Sequence, residues 1–180
     1  MSRCWTERVR AAILTVSDRC ARGEAEDRSG PALRQVLTAR QVDVIAAALV
    51  PDDEAAIKSQ LVQMSDQFGA DVVFTTGGTG LGPRDVTPEA TEAVIERRAP
   101  GIAEAVRAGS LSKTPTAMLS RGTAGLRGRT LIVNLPGNPR GAVECLEIVW
   151  PVLEHAVDMI GGRGHSEETR GHGAAAEHTD

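Results

Sequence analysis

The chain has 180 residues, 41% apolar and 24% charged, which fits one soluble globular unit able to bury a core without metals or disulfides. A formal charge of −4 with both signs interspersed, and only two Trp, two Phe and no Tyr, argues against a nucleic-acid surface. Cys4, Cys20 and Cys145 are too scattered for a CxxC metal pair and read as reduced structural thiols, no apolar run is long enough to span a bilayer, and Arg8 and Arg10 interrupt the start too early for a signal segment. A cytoplasmic protein with no membrane partner is the expectation.

Val9 to Val16 is a short β-rich apolar run ending at Ser17-Asp18, and a long polar loop is expected from there to Gly30. Ser29-Gly30-Pro31 opens a helix to about Arg40, with Ser29 as cap and Leu33, Val36 and Leu37 as its apolar stripe. Val42 to Leu49 reads as a second strand, Val50-Pro51-Asp52-Asp53 as a turn and Glu54 to Phe68 as a helix. Ala70 to Thr75 is a third strand running into Thr75-Thr76-Gly77-Gly78-Thr79-Gly80. Thr87-Pro88-Glu89 starts the next helix, with Thr87 as the expected cap and Pro88 in the first turn. Beyond the break at Pro100-Gly101 a helix runs to about Leu111, and Lys113 to Arg121 is irregular. Thr123–Leu126 and Thr130–Leu135 flank Arg127-Gly128-Arg129 as a hairpin. Pro136-Gly137-Asn138-Pro139 then leads into a last helix, about Arg140 to Ile160. Residues 1–162 are read as one domain and 163–180, rich in Gly, His and Glu, as a mobile polar tail.

Alternating strands and helices imply a three-layer α/β/α fold around a mostly parallel sheet. Ligands of such sheets bind beyond the carboxyl ends of the strands. Four loops follow strands here: Ser17-Asp18, Pro51-Asp52, the Gly-rich run and Pro136-Gly137-Asn138-Pro139. They are expected to share one rim.

By itself the Gly-rich run is as readily a flexible turn as a phosphate cradle, and it is neither a GxGxxG fingerprint nor a Walker A loop. Asp85, at the entry of the following helix, reads either as a cap or as a magnesium ligand. Arg84 serves equally for phosphate neutralisation or a surface ion pair. Spacing alone makes Asp52 and Asp53 charges complementing a helix dipole. Ser120-Arg121 fits an anion site or plain loop surface. His155 falls in the last helix and His165, His172 and His178 in the tail, and no Ser–His–Asp or Cys–His pattern supports covalent catalysis.

Taken together, TVSD at Thr15–Asp18, DRSGPAL at Asp27–Leu33, VPDD at Val50–Asp53, TTGGTG and PRDVTPEAT across Thr75–Thr91, AMLSR at Ala117–Arg121 and NLPGNP at Asn134–Pro139 closely resemble the molybdopterin adenylyltransferase family. That family includes MogA, MoaB-like proteins and gephyrin-type G domains. The resemblance runs in order from about Val9 to Ile160. It implies a MogA-like fold, a homotrimer, ATP and molybdopterin as substrates, Mg²⁺ as cofactor, and a downstream molybdenum-insertion enzyme as recipient of the product. It further implies that Asp52 and Asp85 are catalytic and bind the metal, which displaces the dipole reading of Asp52. Gly77, Gly78, Thr79 and Gly80 would cradle phosphate. Ser17, Asp18, Arg84, Ser120, Gly137 and Asn138 would complete the substrate pockets. The other readings are a CinA-type nucleotide pyrophosphatase, which shares the fold but differs after the glycines, and a non-catalytic molybdopterin-binding scaffold.

Overall fold

The computed structural model describes residues 9–162; the polar tail read at 163–180 and Cys4 lie outside the described residues. Six strands form one sheet: β1 (Arg10–Val16), β2 (Asp43–Val50), β3 (Val72–Thr76), β4 (Arg97–Arg98), β5 (Ala124–Arg127) and β6 (Thr130–Leu135). Their spatial order is β2-β1-β3-β6-β5-β4. The first four in that order run parallel, and β5 is antiparallel to both its neighbours. The central strands β1, β3 and β6 are apolar on both faces, as a doubly covered parallel sheet requires.

Alternation along the strands divides the core in two. Ile13, Phe74 and Val133 face helices α2 (Ser29–Ala39), α5 (Pro100–Leu111) and α6 (Pro139–Ile160), meeting Leu33, Leu37, Val106 and Leu146. Leu14, Val73 and Ile132 face α3 (Glu54–Val62) and α4 (Thr87–Glu92), meeting Ile57, Leu61, Met64 and Ala90. The result is the expected α/β/α sandwich.

The differences from the sequence reading are local. A one-turn helix, α1 (Asp18–Ala21), interrupts the loop after β1, and the Ser17 hydroxyl accepts from the Cys20 N–H at its start. Ser29 is inside α2 rather than capping it; Asp27 takes that role, its Oδ1 accepting from the N–H of Ser29 and Gly30 at 3.0 Å each. Helix α3 ends in a π-turn, Gln63–Gln67. Thr87 is the first residue of α4 and not its cap, because its hydroxyl is engaged elsewhere. Strand β4 is two exposed arginines, too short and too charged to show a period. The irregular stretch before β5 holds a 3-10 turn, Pro115–Leu119.

The Gly-rich loop enters a confined space. Gly77 has φ +105°, and a Cβ there would run into the Val16 carbonyl oxygen. Gly77→Ala is therefore expected to cost about 3 kcal/mol, from a disallowed backbone plus a clash with main chain that cannot move aside. Thermal denaturation should show Tm lower by roughly 6–12 °C.

Candidate active site

Strand register builds the rim. Val16 pairs with Val50, Thr15 with Thr76, and Thr76 with Leu135, so β1, β2, β3 and β6 end level with one another. Ser17-Asp18, Pro51-Asp52, Gly77 and Pro136-Gly137 thus emerge side by side, as the topology required. A Cβ on Gly137 would lie 3.1 Å from the Gly77 Cα, which shows how closely two of these loops pack.

The first two loops are tied by a reciprocal pair. The Asp18 N–H donates to Asp52 Oδ2 at 2.7 Å, and the Asp52 N–H donates to Asp18 Oδ1 at 3.0 Å. Asp53, not Asp52, caps α3, accepting from the Ala56 N–H at 2.8 Å. Asp52 is thereby released from helix capping and held half-buried at the rim. Burial pushes its carboxyl above the usual carboxylate value, and the neighbouring charges of Asp18 and Asp85 push the same way. Asp18 is drawn below that value by Arg84, whose Nε and Nη2 each donate to it at 3.0 Å. Arg84 makes the ion pair that was one of its two sequence readings, and through it the segment carrying Asp85 is tied to the start of α1.

Asp85 closes a short turn: its Oδ2 accepts from the Gly82 N–H at 2.8 Å, and its own N–H donates to the Gly82 carbonyl at 3.0 Å. A Cβ on Gly78 would come within 3.0 Å of Asp52 Oδ1, and one on Gly80 within 2.9 Å of Asp85 Oδ2, so both carboxylates border the glycines. Among the described residues no three His, Cys, Asp or Glu side chains form a metal cage. Two carboxylates beside a loop of unpaired amides are a donor set that would suit Mg²⁺, which takes one or two carboxylates and fills its octahedron with other oxygens and water. Burial first, and the nearby carboxylates of Asp18 and Asp85 after it, disfavour a bare charge on Asp52, and a divalent cation would relieve both.

The hydrogen bonds of the Gly-rich loop are one-sided. The Gly77 carbonyl accepts from the Thr87 hydroxyl (2.9 Å) and the Gly78 carbonyl from the Thr87 N–H (3.1 Å). The Thr79 carbonyl accepts from the Arg121 N–H (2.9 Å) and the Gly80 carbonyl from Arg121 Nε (2.7 Å). All four carbonyls are held by protein. Among the described residues, the N–H groups of Gly78, Thr79, Gly80 and Leu81 find no acceptor. The chemistry left to this loop is donation to an anion.

Thr79 and Gly80 also form one wall of a cleft of about 640 Å³ that continues between α5 and α6. Ser120 and Asn138, both candidates from the sequence, line it. Asn138 doubles as the cap of α6, accepting from the Gly141 N–H at 3.0 Å, and the Ser120 hydroxyl accepts from the Gly122 N–H at 3.3 Å. Ser17, Asp18, Asp52, Arg84 and Asp85 are not lining residues of this cleft; they gather at its neighbouring loops, and Ser17 is occupied in capping α1. Sequence reasoning did not single out the far end, where Lys113, Arg140 and Glu144 meet: Glu144 lies 2.9 Å from Arg140 and 3.8 Å from Lys113. It also missed Asn134, whose buried amide donates to the hydroxyls of Thr75 (3.0 Å) and Thr91 (2.9 Å) and so ties β6 to β3 and α4.

This fold and rim define a doubly covered, mostly parallel α/β protein with a loop of unpaired N–H donors and two aspartates at its carboxyl edge. The chain belongs to the family described as the probable molybdopterin binding domain, whose model matches residues 12–155. It is 43% identical over 156 residues to the molybdopterin adenylyltransferase of Helicobacter pylori (strain ATCC 700392 / 26695), covering 86% of this chain and 89% of that protein. The crystal structure of the molybdopterin biosynthesis enzyme MoaB from Thermus thermophilus is similar with a TM-score of 0.81 and 52% identity, over 86% of this chain and 97% of that one. A CinA protein from Thermoplasma acidophilum, at 19% identity and a TM-score of 0.61, shares the fold alone.

Proposed function

We propose that this chain is a molybdopterin adenylyltransferase of molybdenum cofactor synthesis. The observation that carries the reading is the loop whose four carbonyls are held by protein while its amides are left to an anion, bordered by Asp52 and Asp85. In the reaction a terminal phosphate oxygen of molybdopterin attacks the α-phosphorus of ATP. The bond from that phosphorus to the bridging oxygen breaks, and pyrophosphate leaves with its electrons. The nucleophile is already an anion, so positioning and charge stabilisation suffice and no strong general base is needed. The residues fit that demand: the one described His, His155, is exposed on α6, and the rim holds amides and carboxylates.

The chain's own groups divide the work. The loop amides of Gly78, Thr79 and Gly80 would hold phosphate oxygens, and the cleft bounded by Ser120 and Asn138 would take the pterin substrate. Asp52 and Asp85 would hold Mg²⁺, which when bound supplies neutralisation of the transferring phosphates. Asp18 and Arg84 would fix the distance between the loops that carry the two aspartates. A homotrimeric, cytoplasmic enzyme passing its product to a molybdenum-insertion enzyme completes the reading.

The test is incubation of the purified protein with molybdopterin, ATP and Mg²⁺, following both products by chromatography. Adenylyl-molybdopterin and pyrophosphate are expected in equal amounts, and chelation of the metal should stop their formation. A parallel incubation supplies a dinucleotide with Mg²⁺; its hydrolysis, with no adenylylated pterin formed in the first incubation, would assign a CinA-type activity instead. Binding of molybdopterin with no turnover would leave a scaffold.

A further inference from the structure

In a trans peptide the carbonyl and the following N–H point in opposite directions, and the described chain contains no cis bond. Whatever grips the carbonyl from behind therefore aims the next amide forward. Thr87 grips Gly77 and Gly78 and so aims the amides of Gly78 and Thr79. Arg121 grips Thr79 and Gly80 and so aims those of Gly80 and Leu81. The same guanidinium donates to the Asp85 carbonyl and is itself anchored by the Glu89 carboxylate. The Thr87 side chain is fully buried with its hydroxyl spent on Gly77, and each nitrogen of the Arg121 guanidinium already donates to protein, through Nε to Gly80, Nη1 to Glu89 and Nη2 to Asp85. Arg107 supports the arrangement from α5, donating to the Gly122 carbonyl at 2.8 Å just after Arg121.

We propose that Thr87 and Arg121 are positioning residues that orient the anion cradle from its rear. Arg121 also sets the backbone of Asp85. This deepens the proposed function and rests on it for substrate identity, but the cradle can be probed with pyrophosphate alone.

The experiment compares Thr87→Val, Thr87→Ser, Arg121→Ala and Arg121→Lys with the parent chain. Thr87→Val is isosteric and removes only the bond to Gly77; Thr87→Ser retains it. Calorimetric titration with pyrophosphate and Mn²⁺ is expected to show affinity reduced about tenfold in Thr87→Val and Arg121→Ala and preserved in Thr87→Ser. Turnover should fall at least tenfold in kcat for Arg121→Ala, with partial recovery on adding millimolar guanidinium, and Arg121→Lys should remain impaired because an ammonium cannot span the same acceptors. Two outcomes would overturn the proposal: parental pyrophosphate affinity in both Thr87→Val and Arg121→Ala, or a rise in the KM for ATP at unchanged kcat in Arg121→Ala, which would make Arg121 a direct ligand. An inactive parent chain that still binds pyrophosphate in the expected order would instead overturn the transferase reading and leave the cradle standing.

Discussion

Asp85→Asn is expected to reduce kcat for adenylyl transfer at least about 100-fold while the fold stays intact. The amide oxygen of Asn can still accept the Gly82 N–H, so the turn that Asp85 closes survives and only the charge is lost. Loss of one charge-stabilising contact at a transferring phosphate is worth roughly 3 kcal/mol, or about two orders of magnitude in rate. The KM for molybdopterin should change little, because Asp85 is not a lining residue of the cleft. Steady-state assays of pyrophosphate release, alongside a melting curve, read both halves of the expectation. Unaltered turnover would remove Asp85 from the metal site. Asp85→Ala is the less informative variant, since it also opens the turn and confuses positioning with charge.

The place where the strand-end loops gather is legible in the chain. Once strands and helices alternate, parallel pairing follows, and the loops after β1, β2, β3 and β6 must come out at one edge. What could not be read was which member of a polar pair does what. Asp52 and Asp53 are adjacent and chemically identical; only the path of α3 decides that Asp53 caps the helix while Asp52 bonds to Asp18, 34 residues away. Thr87 has every mark of an N-cap, yet tertiary structure uses its hydroxyl on Gly77. Arg121 lies 36 residues from Asp85, and no local pattern announces that it holds that carbonyl. The Lys113–Glu144 pair at the far end of the cleft is equally non-local, formed where the end of α5 meets α6, whereas Arg140–Glu144 is a local i,i+4 pair within α6. Glycine spacing left turn and cradle equally open; the donors that fix the loop carbonyls lie far along the chain and carry no local pattern.

The reciprocal aspartates set up the second large effect. Their carboxyls are perturbed in opposite directions: Arg84 lowers Asp18, whereas burial, Asp18 and Asp85 raise Asp52. For Asp18, a lowered pKa means stability present above the usual carboxylate value and lost as the pH falls through the lowered one. For Asp52 the sign reverses. Between the usual value and its raised pKa the unfolded chain is ionised while the folded one is still protonated, so stability declines as the pH rises through that window and the penalty persists at neutral pH. Asp52→Asn removes this penalty and can still accept the Asp18 N–H. Its Tm at pH 7 is expected to equal or exceed that of the parent chain, with the advantage shrinking as the pH drops below the raised pKa. If Asp52 holds the cation as proposed, the variant's adenylyl transfer is expected to fall at least about 100-fold from loss of that charge. In the parent chain, Mn²⁺ affinity should weaken as the pH descends through the raised pKa of Asp52, before an ordinary carboxylate would protonate. Calorimetric melts and Mn²⁺ titrations over the same pH series measure both. A variant that melts lower yet keeps its turnover would place Asp52 among the residues that hold the fold, and the cation would then rest on Asp85 alone.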